Sequence, residues 1–240
     1  MTKMLKATLL SLLLFNAAAG QRPDPPPRKV RVQAPRELVV EAPIDLGRVE
    51  GRRYTNDSFR ISLSAPEGWV VHDSQRSRAI LEMGKDVVLG NADEKKKAAA
   101  EAGLARTAVL FSASKLPPGS TAGFNAGMVL VAERVPTVVV KTGADYVQMM
   151  QRVMQGSPVR MEVQGPLRVE RVGGASFTAA DIRLTTPAGV AAQKYYVRVA
   201  DGYALCLIYS YVDEADLPAF KAILDSVAFK AGGRARPTRP

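Results

Sequence analysis

Residues 58–64 alternate. Phe59, Ile61 and Leu63 face one way, and Ser58, Arg60, Ser62 and Ser64 the other, which is the period-two pattern of a strand with one buried face. Pro66-Glu67-Gly68 predicts a turn and Trp69-Val70-Val71 a second short strand. Short strands are expected again over 78–83 and 86–89. A helix is expected over 91–102, where Asn91 or Asp93 can cap, Ala98 to Ala100 favour the helix and Gly103 can end it. Residues 106–114 and 126–134 read as strands joined by a long, flexible connection, 115–125. Residues 142–155 give the clearest helix in the middle of the chain. Tyr146, Met149, Met150 and Val153 recur at helical spacing and Met154 extends their face.

From 159 to 212 the pattern is a meander. A strand over 159–172, interrupted at Gly165-Pro166, turns at Gly173-Gly174 and returns over 176–184. Pro187-Ala188-Gly189 turns it once more, and strands over 192–199 and 203–212 flank Asp201-Gly202, a strong hairpin dipeptide. A two-residue loop there pairs Ala200 with Tyr203, Val197 with Cys206 and Tyr196 with Leu207. The last strand is apolar on both faces, with Leu205, Leu207 and Tyr209 on one and Ala204, Cys206 and Ile208 on the other. It therefore belongs at the centre of a sheet covered on both sides. Cys206 reads as a small buried hydrophobe and not as a nucleophile. Asp213 caps a final helix whose buried stripe is Leu217, Phe220, Ile223, Leu224 and Val227. The expected class is α+β: an antiparallel sheet with helices on both faces, an α/β/α sandwich.

The ends of the chain carry different information. Lys3 and Lys6, a largely apolar run from Ala7 to Phe15 and the small residues of 16–20 have the layout of a secretory signal peptide. No cysteine follows the apolar run, so lipid attachment there is not expected, and the location implied is periplasmic or extracellular. Residues 21–53 read as a Pro- and Arg-rich linker, 54–230 as one domain and 231–240 as a mobile basic tail. The charge follows this division. Of the formal +10 of the 240 residues, two charges are Lys3 and Lys6, a net three lie in 21–53 and three in 231–240, which leaves +2 for 54–230. Basicity concentrated at the ends argues against nucleic acid, which wants a basic stripe on a structured surface. It leaves weak contact with anionic surfaces open. A single Cys and a single His argue against a disulfide scaffold and a multi-histidine metal centre, and no apolar run approaches a membrane span.

The stretch Tyr54-Thr-Asn-Asp-Ser-Phe59-Arg-Ile-Ser-Leu-Ser-Ala-Pro66-Glu-Gly68-Trp69 resembles the opening of PsbP-like proteins. That superfamily includes extrinsic photosystem subunits, Mog-type proteins and bacterial DcrB-like and LpqN-like envelope proteins. Gly202 to Tyr209, followed by the helix from Asp213 and the closing Ser226-Val-Ala-Phe229, resembles the other end. The resemblance implies the sandwich fold and a habit of binding other proteins or small apolar ligands. It implies no shared catalytic residues.

Candidate chemistry is sparse. Ser112-Ala-Ser-Lys115 and Lys141-Thr142-Gly143 match, in order, two elements of penicillin-recognising enzymes. The middle element is missing, however, and Ser112 ends a strand where that chemistry needs a helix start. His72 beside Asp73 has no sequence-adjacent nucleophile and reads as surface decoration. Gly119 to Gly123 is loop chemistry, Lys95 to Lys97 a solvated helix face, and the methionine stripe core packing before it is an adaptable groove. No catalytic, cofactor or metal residue is assigned. The sequence therefore predicts an exported, non-enzymatic binding or accessory protein of the bacterial envelope, taking a protein partner or a small apolar ligand. The alternatives are a hydrolase with a dispersed site centred on His72 and a surface-adhesion protein working through its basic ends.

Overall fold

The doubly apolar strand 203–211 lies at the middle of a seven-stranded antiparallel sheet, and the rest of the molecule is arranged around it. The computed structural model describes residues 43–73, 76–79, 103, 105–118, 120, 123–155, 157–187 and 189–230. In chain order the elements are β1 (Arg48–Glu50), β2 (Arg53–Asn56), β3 (Ile61–Ser64), β4 (Val70–Val71), β5 (Thr107–Ser114) and β6 (Gly127–Arg134). Helix α1 (Gly143–Met154) follows, then β7 (Arg160–Val172), β8 (Ala175–Thr186), β9 (Gly189–Ala200), β10 (Tyr203–Tyr211), α2 (Leu217–Ser226) and β11 (Ala228–Phe229). The large sheet runs β4-β5-β6-β10-β9-β8-β7 and a four-stranded sheet runs β1-β2-β3-β11.

The hairpin register is the one its loop dictates. Ala200 pairs with Tyr203, Val197 with Cys206 and Tyr196 with Leu207. Asp201 and Gly202 both take positive φ (51° and 80°), the two-residue turn whose twist matches the strands it joins. The Gly165-Pro166 interruption is a bulge: pairing with β8 jumps from Gln164 to Arg168, and Gly165 adopts φ 74°.

Each face of the large sheet has its own core. On one, α1 buries Tyr146, Val147, Met150 and Met154 against Val129, Val131, Ile182, Tyr195, Cys206 and Ile208. On the other, Tyr54, Ile61 and Leu63 of the small sheet and Phe220 and Ile223 of α2 cover Phe111, Met128, Leu130, Leu207 and Tyr209. The molecule is thus antiparallel and layered as expected, but the second outer layer is a small sheet with α2 beside it, in place of helices alone. The reason lies upstream. Tyr54 donates to the Leu46 carbonyl (3.0 Å) and Asn56 Nδ2 to the Asp45 carbonyl (2.8 Å), so residues 43–53 are built into the small sheet and do not act as linker.

Other differences are local. The strand expected over 58–64 begins at Ile61, because 57–60 form a turn with Arg60 at φ 55° and the Phe59 N–H bonded to the Asn56 side chain (2.8 Å). Residues 76–79 are helical, so the strand expected from Arg78 does not start there. Asp213 caps a single 3-10 turn, Glu214–Asp216, and α2 begins only at Leu217, with Pro218 in its first turn. The signal-peptide layout, most of the 78–102 reading and the basic tail fall outside the described residues.

Candidate functional site

Three places gather polar or accessible chemistry. The first is where β4 meets β5. His72 Nε2 lies 3.0 Å from Ser114 Oγ, the His72 N–H donates to the Ser112 carbonyl (3.0 Å), and Ser77 Oγ and Ser112 Oγ are 2.7 Å apart. The fold thus supplies the half-buried His72 with seryl hydroxyls that its sequence neighbourhood lacks. The proton positions decide what they can do. Ser114 donates to the Leu116 carbonyl (2.8 Å), so in the His72 contact the imidazole Nε2 is the donor and Ser114 the acceptor. A histidine that donates to a serine does not withdraw its proton. Asp73 does not orient the ring, because its Oδ1 accepts the Arg76 N–H (2.7 Å). Burial, and then the Arg76 charge, hold His72 below its ordinary pKa, while Asp73 pulls the other way. The cluster is a neutral hydrogen-bonded tie between the end of β4, β5 and the helical residues 76–79. Ser112 is fully buried and Lys115 points away to Asp216 (Nζ to Oδ1 2.6 Å), so the Ser-x-x-Lys spacing brings nothing together.

The second place is inside the α1 core. Glu133, on β6, is 1% exposed, and its Oε2 accepts a hydrogen bond from the Tyr146 hydroxyl of α1 at 2.8 Å. The Cys206 thiol of β10 is in hydrogen-bonding contact with the same hydroxyl. Burial dominates: it pushes the Glu133 carboxyl up to about 8, against smaller opposing effects of Tyr146 and of the Arg106 charge. It also pushes the Tyr146 and Cys206 groups far above their ordinary values. Cys206 is an inert thiol packed in the core, as its alternation predicts. Glu133 went unassigned, although it continues the phase of Val129 and Val131 into the core. A carboxylate on an apolar phase was the signal.

The third place is a surface cleft of about 460 Å³ at the N-terminal end of α1. Lys141, Thr142 and Gly143 form one side, Val169 of β7 the other, and Ser176, Thr178, Val197 and Val199 of β8 and β9 lie between. Gly143 is required here: a Cβ on it would stand 2.6 Å from both Thr178 Oγ1 and the Val197 carbonyl. Thr142 and Asp145 close a capping box, with Asp145 Oδ2 accepting the Lys141 and Thr142 N–H groups (3.0 and 2.9 Å). The helix end is therefore internally satisfied. Val169 is 79% exposed, and Val138 and Val139, on the turn that leads into α1, are 85% and 61% exposed. The cleft is a mixed surface, with Lys141 and Arg198 beside Val169, Val197 and Val199. Met149 and Val153 are only half-buried, because the inward face of α1 is Gly143, Tyr146, Val147, Met150 and Met154. Met150 and Met154 pack into the core, and Met149 packs against it.

Among the described residues no three His, Cys, Asp or Glu side chains converge to hold a metal, and no helix is long and apolar enough to cross a membrane. No protein-family model matches the chain, and no curated protein does. The chain is similar to several solved structures. One is cyanobacterial PsbP (CyanoP) from Synechocystis, at 13% identity and TM-score 0.44, over 77% of this chain and 99% of that one. Another is LpqN from Mycobacterium tuberculosis, described as involved in cell envelope biogenesis, at 14% identity and TM-score 0.39, over 70% of this chain and 82% of that one. A third is a protein of Bacteroides thetaiotaomicron, at 7% identity and TM-score 0.40. The match covers 79% of this chain and about half (52%) of that one. Two of these structures bear the names PsbP and LpqN.

Proposed function

We propose that the chain is a non-enzymatic binding or accessory module of the bacterial envelope, and that it engages a protein partner through the cleft at the start of α1. The envelope assignment rests on the signal-peptide layout of residues 1–20. The observation that carries the rest is the exposed Val169 on the wall of a concave surface, with the exposed Val138 and Val139 on the turn just before the Lys141-Thr142-Gly143 wall. Isolated exposed valines are ordinary, but several close to one concavity in the chain suit an interaction surface. A protein partner suits this surface better than a small apolar ligand. The space between α1 and the sheet is filled by Tyr146, Met150 and Met154, and the cleft itself is open.

The test is photo-crosslinking in the producing cell, with a benzophenone residue at 138, 169 or, as control, the exposed 221 on α2. The proposal expects one adduct of the same mass from 138 and 169, absent from 221 and lost when Val139→Asp is added. No adduct from 138 and 169, or the same adduct from all three positions, contradicts it.

One observation favours a hydrolase as the second reading: His72 sits within 3.0 Å of Ser114. Fluorogenic ester, glycoside and peptide substrates decide it. Turnover that disappears in His72→Ala supports the hydrolase, and turnover that is absent or unaffected by the substitution argues for the binding module.

A further inference from the structure

We infer that Glu133 and Tyr146 form a proton-controlled latch for α1. With the carboxyl neutral the helix is seated on the sheet, and with the carboxyl ionised its first two turns loosen and the cleft they border widens. The geometry is a carboxyl group 1% exposed between sheet and helix. One of its oxygens is held by Tyr146 Oη at 2.8 Å, and the other, Oε1, has no hydrogen-bond partner among the described residues.

A neutral carboxyl tolerates that environment. A carboxylate there has one hydrogen bond for two oxygens and is poorly solvated, so ionisation favours any motion that admits water. The groups facing it are few. α1 presents Tyr146, β10 presents Cys206, and Arg106, just before β5, contributes a positive charge. On β5 and β10 the residues paired with Glu133 are Thr107 and Ala204, which do not titrate. Burial outweighs these neighbours and puts the carboxyl near 8, so the change falls in mild alkali.

The helix has one way to respond. Gly143, one turn before Tyr146, packs so closely on Thr178 and the Val197 carbonyl that a Cβ there would overlap both. Relief comes by lifting the N-terminal end, which is the side of the cleft formed by Thr142 and Gly143. The effect on partner binding rests on the function proposed above. The latch itself does not.

The test uses the whole chain. Carbon-detected NMR follows the Glu133 carboxyl, and amide exchange, corrected for the intrinsic rate, follows 144–150 between about pH 6 and about pH 9. The expected result is a carboxyl midpoint near 8, with protection of 144–150 falling at least tenfold relative to β10 over the same range and staying level in Glu133→Gln. A carboxyl that titrates in the ordinary glutamate range overturns the inference. So does protection that stays constant in the native chain or falls equally in Glu133→Gln. If that variant does not fold, Tyr146→Phe serves, because loss of the hydroxyl removes a stabiliser of the ionised form. The midpoint then moves upward, and an unmoved midpoint counts against the latch. A latch that titrates while the cleft captures no partner leaves the inference standing and removes the binding function. A partner captured at the cleft with α1 indifferent to pH does the reverse.

Discussion

Glu133 is the residue whose chemistry conflicts most with its surroundings, and its effect on stability has a definite sign. Its folded pKa, about 8, lies above the ordinary value of 4.5. The folded state therefore holds a proton that the unfolded state has released. Stability from this group is complete below about pH 4.5, declines as pH rises and is gone above about 8, a loss on the order of 5 kcal/mol. Denaturant unfolding of the native chain is expected to show lower stability at about pH 9 than at about pH 6, and Glu133→Gln should flatten that slope. A native slope shared by the variant contradicts this. His72 acts in the opposite sense. Its folded pKa is lowered, so its contribution is present above the ordinary 6.5 and is lost as pH falls through the folded value. His72→Gln, which keeps a donor for Ser114, is expected to reduce the loss of stability in mild acid, as read from melting temperature against pH. Both residues show the limits of reading by neighbours. The serines around His72 come from β5 and from residue 77, 5 to 42 positions away in sequence, whereas the phase of Glu133 was visible within its own strand.

At the scale of elements, periodicity carried most of the information. The helix at 142–155 is observed with Thr142 as its cap and Gln155 as its end, and the β9–β10 register follows from the Asp201-Gly202 loop. What periodicity missed was rotation and onset. The inward face of α1 is turned from Met149 and Val153 toward Gly143 and Val147, because Gly143 must meet β8 and β9. β3 starts late, because the Asn56 side chain makes a turn that a hydropathy pattern does not register. Two substitutions test how α1 is seated. Thr142→Ala removes the capping-box acceptor and is expected to destabilise by about 1 kcal/mol. Gly143→Ala forces a Cβ against backbone as well as side chain and is expected to lose more, about 1–3 kcal/mol, although alanine is the better helix former. Chemical denaturation of both variants checks the order, and a Gly143→Ala protein as stable as the native chain refutes the close approach.

For the whole molecule, the layer opposite α1 was the least legible. Residues 43–53 look like linker because Pro, Arg and Asp dominate the stretch around them. Their strand β1 is exposed at all three residues and is too short to show an alternation. It is positioned by backbone pairing with β2 and by hydrogen bonds from the buried Tyr54 and Asn56 side chains to the Leu46 and Asp45 carbonyls, contacts 8 and 11 positions apart that leave no compositional signature. The central strand was legible for the opposite reason: a segment apolar on both faces has few places to go in a sheet. The candidate site follows the same rule. Lys141, Thr142 and Gly143 stood out only for a motif that the fold does not use, while the cleft they border is closed on its far side by Val169 and floored by Val197, on strands that come next to them only through folding. The central claim, a binding surface at the end of α1 on a body whose interior is packed, is tested most directly by crosslinking from Val169 in the living envelope. The account predicts a single discrete adduct that Val139→Asp abolishes; an empty lane, or an adduct indifferent to that charge, contradicts it.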